Sequence, residues 1–105
     1  MLRIYPVCLE IVEEVQPYAV RIARFDRDLA RQLRKASANT ALGVAEGEGT
    51  RAGRRRNTYD IALGEAKETR TCLQIALRAK YVPSVAPSLF DKIERVIATL
   101  WKVTH

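Results

Sequence analysis

A chain of 105 residues that is 48% hydrophobic, 29% charged and 7% aromatic has the size and apolar content of one compact domain, neither disordered nor built on disulfides. Eighteen Lys and Arg against twelve Asp and Glu give a net charge of +6, which fits an acidic partner such as nucleic acid, an anionic membrane or an acidic protein without choosing among them. Two Cys, one His and one Met leave no tetrahedral zinc set, no CxxC redox pair and no disulfide framework; this fits a reducing cytoplasm and removes the parts of most enzyme classes.

Charges interrupt every apolar stretch well short of the roughly 18 residues that span a bilayer, so no transmembrane helix is expected. The opening MLRIYPVCLEIVEE holds one Arg, three acidic residues by Glu14 and no small-residue cleavage site, and reads as part of the folded domain rather than as a secretory signal. Cys8, Ile11, Val12, Val15, Ala19 and Ile22 recur at steps of three and four, predicting a first helix from Val7 to about Arg24. Pro17 inside it predicts a kink near Glu13 to Val15, or two shorter helices instead. Asp26 is the expected N-cap of a second helix over residues 27–47, whose apolar face is Leu29, Leu33, Ala36, Thr40 and Val44.

Gly47, Gly49 and Gly53 lie within seven positions and predict the main loop. A third helix is expected over about 54–80, with one stripe of Tyr59, Ala62, Leu63, Ala66, Leu73, Ala76 and Leu77 and a second of Ile61, Cys72, Ile75 and Ala79, as for a helix with two neighbours. Pro83 and Pro87 bracket a break, and Leu89, Ile93, Val96, Ile97 and Leu100 predict a fourth helix over about 87–103. Four such helices with short connections predict a single all-α domain, an antiparallel up-down-up-down four-helix bundle spanning residues 1–105. Small residues crowd the second helix (Ala36, Ser37, Ala38, Ala41, Gly43, Ala45) and recur on the third (Ala62, Gly64, Ala66); they permit tight intrachain packing or a subunit interface.

The positive charge is concentrated in residues 21–56, where ten cations face four anions, the whole net charge of the chain. Arg24, Arg27, Arg31 and Arg34 or Lys35 form a ridge along the start of the second helix, and Arg51, Arg54, Arg55 and Arg56 a second cluster at its far end. Cations in the first turn of the third helix oppose its dipole, so stability alone gives no reason for them there. Phosphate contact does, since Arg offers a bidentate fork and outnumbers Lys thirteen to five; a solvated charged surface is the plainer alternative. Without an RNP aromatic motif, KH loop, zinc finger or helix-turn-helix, binding is expected to be directed at the backbone.

Other chemistry is thin. No strand precedes the glycines and no Lys-Ser or Lys-Thr pair follows them, against a nucleotide loop. Cys8 and Cys72 lie on apolar stripes as small core side chains, and the terminal His105 is expected to be mobile, so no cysteine–histidine pair is assembled. Glu46 and Glu68 stand among small or apolar residues and are expected to be buried and paired with an Arg such as Arg34 or Arg70, or to cap backbone donors near the loop. A di-metal carboxylate site lacks the ligands, because there is no Glu-x-x-His; neither metal nor cofactor is expected.

The segment QLRKASANTALGVAEG, Gln32 to Gly47, with the glycine- and arginine-rich loop and IALGEAKET from Ile61, resembles the bacterial 23S rRNA intervening-sequence protein family. Matching positions are Gln32, Leu33, Arg34, Ala36, Ala45, Glu46, Gly47, Ala62, Gly64 and Glu68, of which Gln32, Glu46, Gly47, Gly64 and Glu68 are the structural positions of the motif. Asn39 stands where the family has Ser, Gly43 where it has Asn, and Glu65 where Ser follows the Gly. The resemblance implies a four-helix protomer without enzymatic activity. As in the related accessory proteins of diversity-generating retroelements, it also implies a ring-like homopentamer with a basic surface for RNA and a reverse transcriptase. Together these readings predict a cytoplasmic, non-enzymatic, oligomeric protein that contacts RNA or DNA through Arg24, Arg27, Arg31, Arg34, Lys35, Arg51, Arg54, Arg55 and Arg56. The alternative is a protein-interaction scaffold that recruits a partner such as a reverse transcriptase; a hydrolase finds no nucleophile–base constellation.

Overall fold

In the computed structural model, which describes residues 2–105, the helices are α1 (Tyr5–Ile22), α2 (Arg27–Glu48), α3 (Ala52–Arg78) and α4 (Pro87–Thr104), with no strand among the described residues. Each packs on the next in chain order and α4 closes back on α1 by a slighter contact, in a body of 42 × 23 × 21 Å. The sense is antiparallel throughout: the Leu2 amide before α1 reaches Glu48 at the end of α2, and Arg56 at the start of α3 reaches Thr104 at the end of α4.

The expected apolar faces form the core. Cys8, Ile11, Val15, Ala19 and Ile22 of α1, Leu29, Leu33, Ala36 and Val44 of α2, and Leu89, Ile93, Val96 and Leu100 of α4 are all buried. The four buried Ser and Thr hydroxyls bond back along their own helices, Ser37 to the Arg34 carbonyl, Thr40 to Ala36, Thr69 to Glu65 and Thr104 to Leu100, so they enter the core without an orphaned donor. Asp26 caps α2 as expected: its backbone is extended and its carboxylate accepts the Leu29 N–H at 2.9 Å. Helix α1 runs unbroken through Pro17, which excludes two shorter helices; the proline ring is exposed, and Gln16 donates its side-chain amide to the Val12 carbonyl at 2.7 Å.

Several boundaries differ from expectation, and α1 starts at Tyr5 rather than Val7. Helix α1 stops at Ile22 rather than near Arg24, because the amides of Phe25 and Asp26 both turn back to the Ile22 carbonyl. The glycine cluster is not one long loop: α2 runs to Glu48, α3 starts at Ala52, and only Gly49 to Arg51 connect them. Gly47 is helical because the Tyr59 ring lies against it, 2.1 Å from where a Cβ would sit, and Gly43 likewise lets Ala62 approach to 2.8 Å of that position. These glycines are packing residues at the α2–α3 seam. The buried small residues of α2 (Ala36, Ser37, Ala41, Gly43) thus serve intrachain packing.

Helix α3 ends at Arg78 instead of about 80. The amides of Tyr81 and Lys80 return to the carbonyls of Ala76 and Leu77 at 2.8 and 3.1 Å, and Lys80 takes the left-handed conformation at φ 64°. This is the Schellman ending, in which glycine is the usual residue. A lysine there costs about 1–2 kcal/mol of steric strain, of which attraction to the helix C-terminus returns about 0.3–1 kcal/mol.

Helix α3 has the two neighbours expected, α2 and α4, but most of its second stripe meets neither. Cys72 joins the core, but Ile61 and Ile75 are 61% and 46% exposed and Ala79 faces solvent. At 100° per residue Ile61, Gly64, Glu68, Thr71 and Ile75 fall on one outward strip, and a Cβ on Gly64 would meet nothing within 4 Å.

Candidate nucleic-acid interface

All nine basic residues singled out in the sequence are exposed, and they fall into two groups at opposite ends of α2, whose 22 residues span roughly 33 Å. Along the first ridge, Arg31 pairs with Asp28 at 2.5 Å, and Gln32 donates to the other Asp28 oxygen at 2.8 Å. The Arg31 hydrogen bond, then that of Gln32, holds the Asp28 carboxyl below its ordinary value. Arg34 donates to the Gln16 side-chain oxygen at 3.3 Å, tying α2 to α1. Arg24 and Arg27 have no ion pair or side-chain hydrogen bond among the described residues.

The second group divides by geometry. Arg55 donates to the carbonyls of Gly47 at 3.1 Å and Thr50 at 2.9 Å, and Arg56 to the Thr104 carbonyl at 2.9 Å. In an antiparallel bundle the start of α3 lies between the ends of α2 and α4, so these guanidinium groups satisfy terminal carbonyls of both neighbours and meet the negative ends of their dipoles. This corrects the inference that stability gives no reason for cations there: the dipole of α3 opposes them, and two flanking dipoles attract them. Arg51, whose extended backbone caps α3, and Arg54 carry no side-chain partner among the described residues.

Between Arg55, Arg56 and Tyr59 lies a cleft of about 440 Å³ that also contains Glu48. The Leu2 amide, 2.6 Å from the Glu48 carboxylate, is the chief cause that holds that group below its ordinary value. The cleft therefore carries its own anion beside Arg55 and Arg56.

Glu46 and Glu68 are exposed rather than buried, and neither pairs with the arginines proposed for it, since Arg70 bonds Glu94 at 2.6 Å and Arg34 bonds Gln16. Partial desolvation, then the neighbouring Glu65, raises the Glu68 pKa, while Lys35 opposes the rise. Glu65 accepts a hydrogen bond from Asn39 at 3.1 Å, joining α3 to α2. His105 is stacked on Trp101 with centroids 3.6 Å apart. Cys8 and Cys72 are buried and desolvation pushes each thiol up to about 11, the reverse of an activated nucleophile. No group of three or more potential metal ligands occurs among the described residues, and no described helix is long and apolar enough to cross a membrane.

At the opposite end of the bundle the structure gathers residues that the sequence reading left out. Arg21, Lys80 and Tyr81 join Arg24 and Phe25 around a cleft of about 590 Å³ formed by the α1–α2 and α3–α4 connections. The one signal in the sequence was an aromatic residue set in a charged turn, at Phe25; its partner Tyr81 is far away along the chain.

The comparisons agree with this architecture at the level of family. The family of 23S rRNA-intervening sequence proteins matches over residues 2–102. No curated protein and no solved structure matches the chain. With the match covering all four helices almost to the last residue, the chain belongs to the 23S rRNA-intervening sequence protein family.

Proposed function

We propose that this is a cytoplasmic, non-enzymatic protein that binds nucleic acid, RNA or DNA, by neutralising backbone phosphates. The observation that carries the reading is that four of the arginines singled out in the sequence are exposed with no side-chain partner among the described residues, Arg24 and Arg27 at one end of α2 and Arg51 and Arg54 at the other. Their forks are free to grip phosphate oxygens, and a surface pair already made need not be broken first. Arg31, Arg34 and Lys35 add charge along the α2 flank, while Arg55 and Arg56 hold the bundle end on which Arg51 and Arg54 stand. Membership in a family named for an rRNA intervening sequence supports an RNA-related role.

Self-association belongs to the same proposal. The outward strip of α3, with exposed Ile61 and Ile75 on either side of an open Gly64, suits a second copy of the chain, and the family resemblance implies five. A ring would present each arginine group several times, so weak phosphate contacts would add through effective concentration.

The test is binding of the purified protein to structured RNA, single-stranded RNA and duplex DNA at physiological salt, with mass determination in solution. Wild type should bind, and the Arg51→Ala/Arg54→Ala variant should bind more weakly with an unchanged melting temperature. Absence of binding to all three would refute the proposal and turn attention to a protein scaffold.

A further inference from the structure

Phe25, in the turn from α1 to α2, lies flat on Tyr81, in the turn from α3 to α4, with centroids 5.2 Å apart and ring planes within 9°. Phe25 is still 63% exposed, the most exposed of the large apolar side chains among the described residues, although buried Ile22 and Val82 are close by in the same two segments. One face of its ring is backed by Tyr81 and the other is open. Arg21, Arg24 and Lys80 line the cleft around the pair, all exposed and without an ion pair among the described residues. The acidic residues of the adjoining turn are already engaged, Asp26 with the Leu29 amide and Asp28 with Arg31 and Gln32.

Lys80 adds to this: it holds a left-handed position in which glycine is the usual residue, and its exposed ammonium stands on the rim of the same cleft. A supported, open aromatic face ringed by unpaired cations matches a stacking platform with phosphate contacts on its rim. A duplex keeps its base faces covered, so the complementary ligand is a strand with unpaired bases. The three cations favour a polyanion over an apolar peptide on the same ring.

We infer that the Phe25–Tyr81 cleft takes an unpaired base of single-stranded nucleic acid, stacked on Phe25, with Arg21, Arg24 and Lys80 on the adjoining phosphates. This rests on the nucleic-acid reading above and narrows its ligand.

The experiment compares a short oligo(dT), a fully abasic strand of the same length and a duplex, by fluorescence anisotropy, on wild type, Phe25→Ala, Phe25→Leu, Phe25→Trp and Lys80→Gly. Wild type should hold oligo(dT) at least about tenfold more tightly than the abasic strand, within the range found for one base stacked on an aromatic ring. That preference should vanish in Phe25→Ala and Phe25→Leu and return in Phe25→Trp. Lys80→Gly should weaken both strands while leaving the melting temperature unchanged or higher. Equal affinity of wild type for oligo(dT) and the abasic strand would overturn the stacking site and leave phosphate binding standing; failure to bind either strand would overturn the site, and failure on every nucleic acid the parent reading also.

Discussion

Replacing Gly47 by Ala tests the α2–α3 seam most sharply. The new Cβ would stand 2.1 Å from Tyr59 Cε1 and 2.6 and 2.7 Å from Cζ and Cδ1, where ordinary contact begins at 3.4 Å. Tyr59 is only 4% exposed, so its ring must tip towards the cleft it lines or the helices must separate locally. Overpacking of this kind costs about 1–3 kcal/mol. Alanine in a helix interior returns about 0.8–1 kcal/mol, less near the helix end where Gly47 lies. The net loss is about 0.5–2.5 kcal/mol, a fall in melting temperature of roughly 2–20 °C for a domain of this size. Urea unfolding of Gly47→Ala, Tyr59→Leu and the double variant measures it. In the Tyr59→Leu background the same Gly47→Ala change should cost less than half as much, because the ring carbons it strikes are gone. An equal loss in both backgrounds, or no loss in either, would refute the packing argument.

Arg55→Ala and Arg56→Ala should each lower stability by about 0.5–1.5 kcal/mol in urea titrations, through lost bonds to helix-end carbonyls, whereas Arg51→Ala and Arg54→Ala should stay within about 0.5 kcal/mol of wild type. With both thiols pushed up to about 11 from 9.0, the unfolded state ionises first, so the contribution of Cys8 and Cys72 to stability is complete below pH 9 and is lost as pH rises towards 11. Cys8→Ala/Cys72→Ala should flatten that alkaline decline in thermal melts, and native protein at pH 8 should react with a thiol reagent only after denaturant is added. Gly64→Ala should raise protomer stability by about 0.5–1 kcal/mol, since it improves helix propensity in open space, while weakening self-association measured by sedimentation; tighter association would contradict the α3 strip as a contact.

The fold was legible because its signal is local and repeated. Leu29, Leu33, Ala36, Thr40 and Val44 keep helical spacing in the sequence and all five are buried. What misled was local chemistry whose cause lies in another helix. Gly47 and Gly53 look like loop residues, yet both are helical, and Gly47 makes room for a ring twelve residues on in α3. Arg55 and Arg56 look misplaced on one helix dipole and fit once the antiparallel ends of α2 and α4 stand beside them. Glu46 and Glu68 sit among small residues that suggest burial, but the small residues turn inward and the carboxylates outward. The Phe25–Tyr81 pair joins two turns that only the closed bundle brings together, and no spacing along the chain announces it.

The most direct test of the phosphate-binding account is the salt dependence of affinity for one RNA, compared between wild type and Arg24→Ala/Arg27→Ala/Arg51→Ala/Arg54→Ala. Each lost phosphate contact should reduce the slope of log affinity against log salt by about 0.7–0.9, so the fourfold variant should bind more weakly and with a slope shallower by up to about 3.6. An identical slope in the two proteins would contradict the assignment of these four arginines to the nucleic-acid surface.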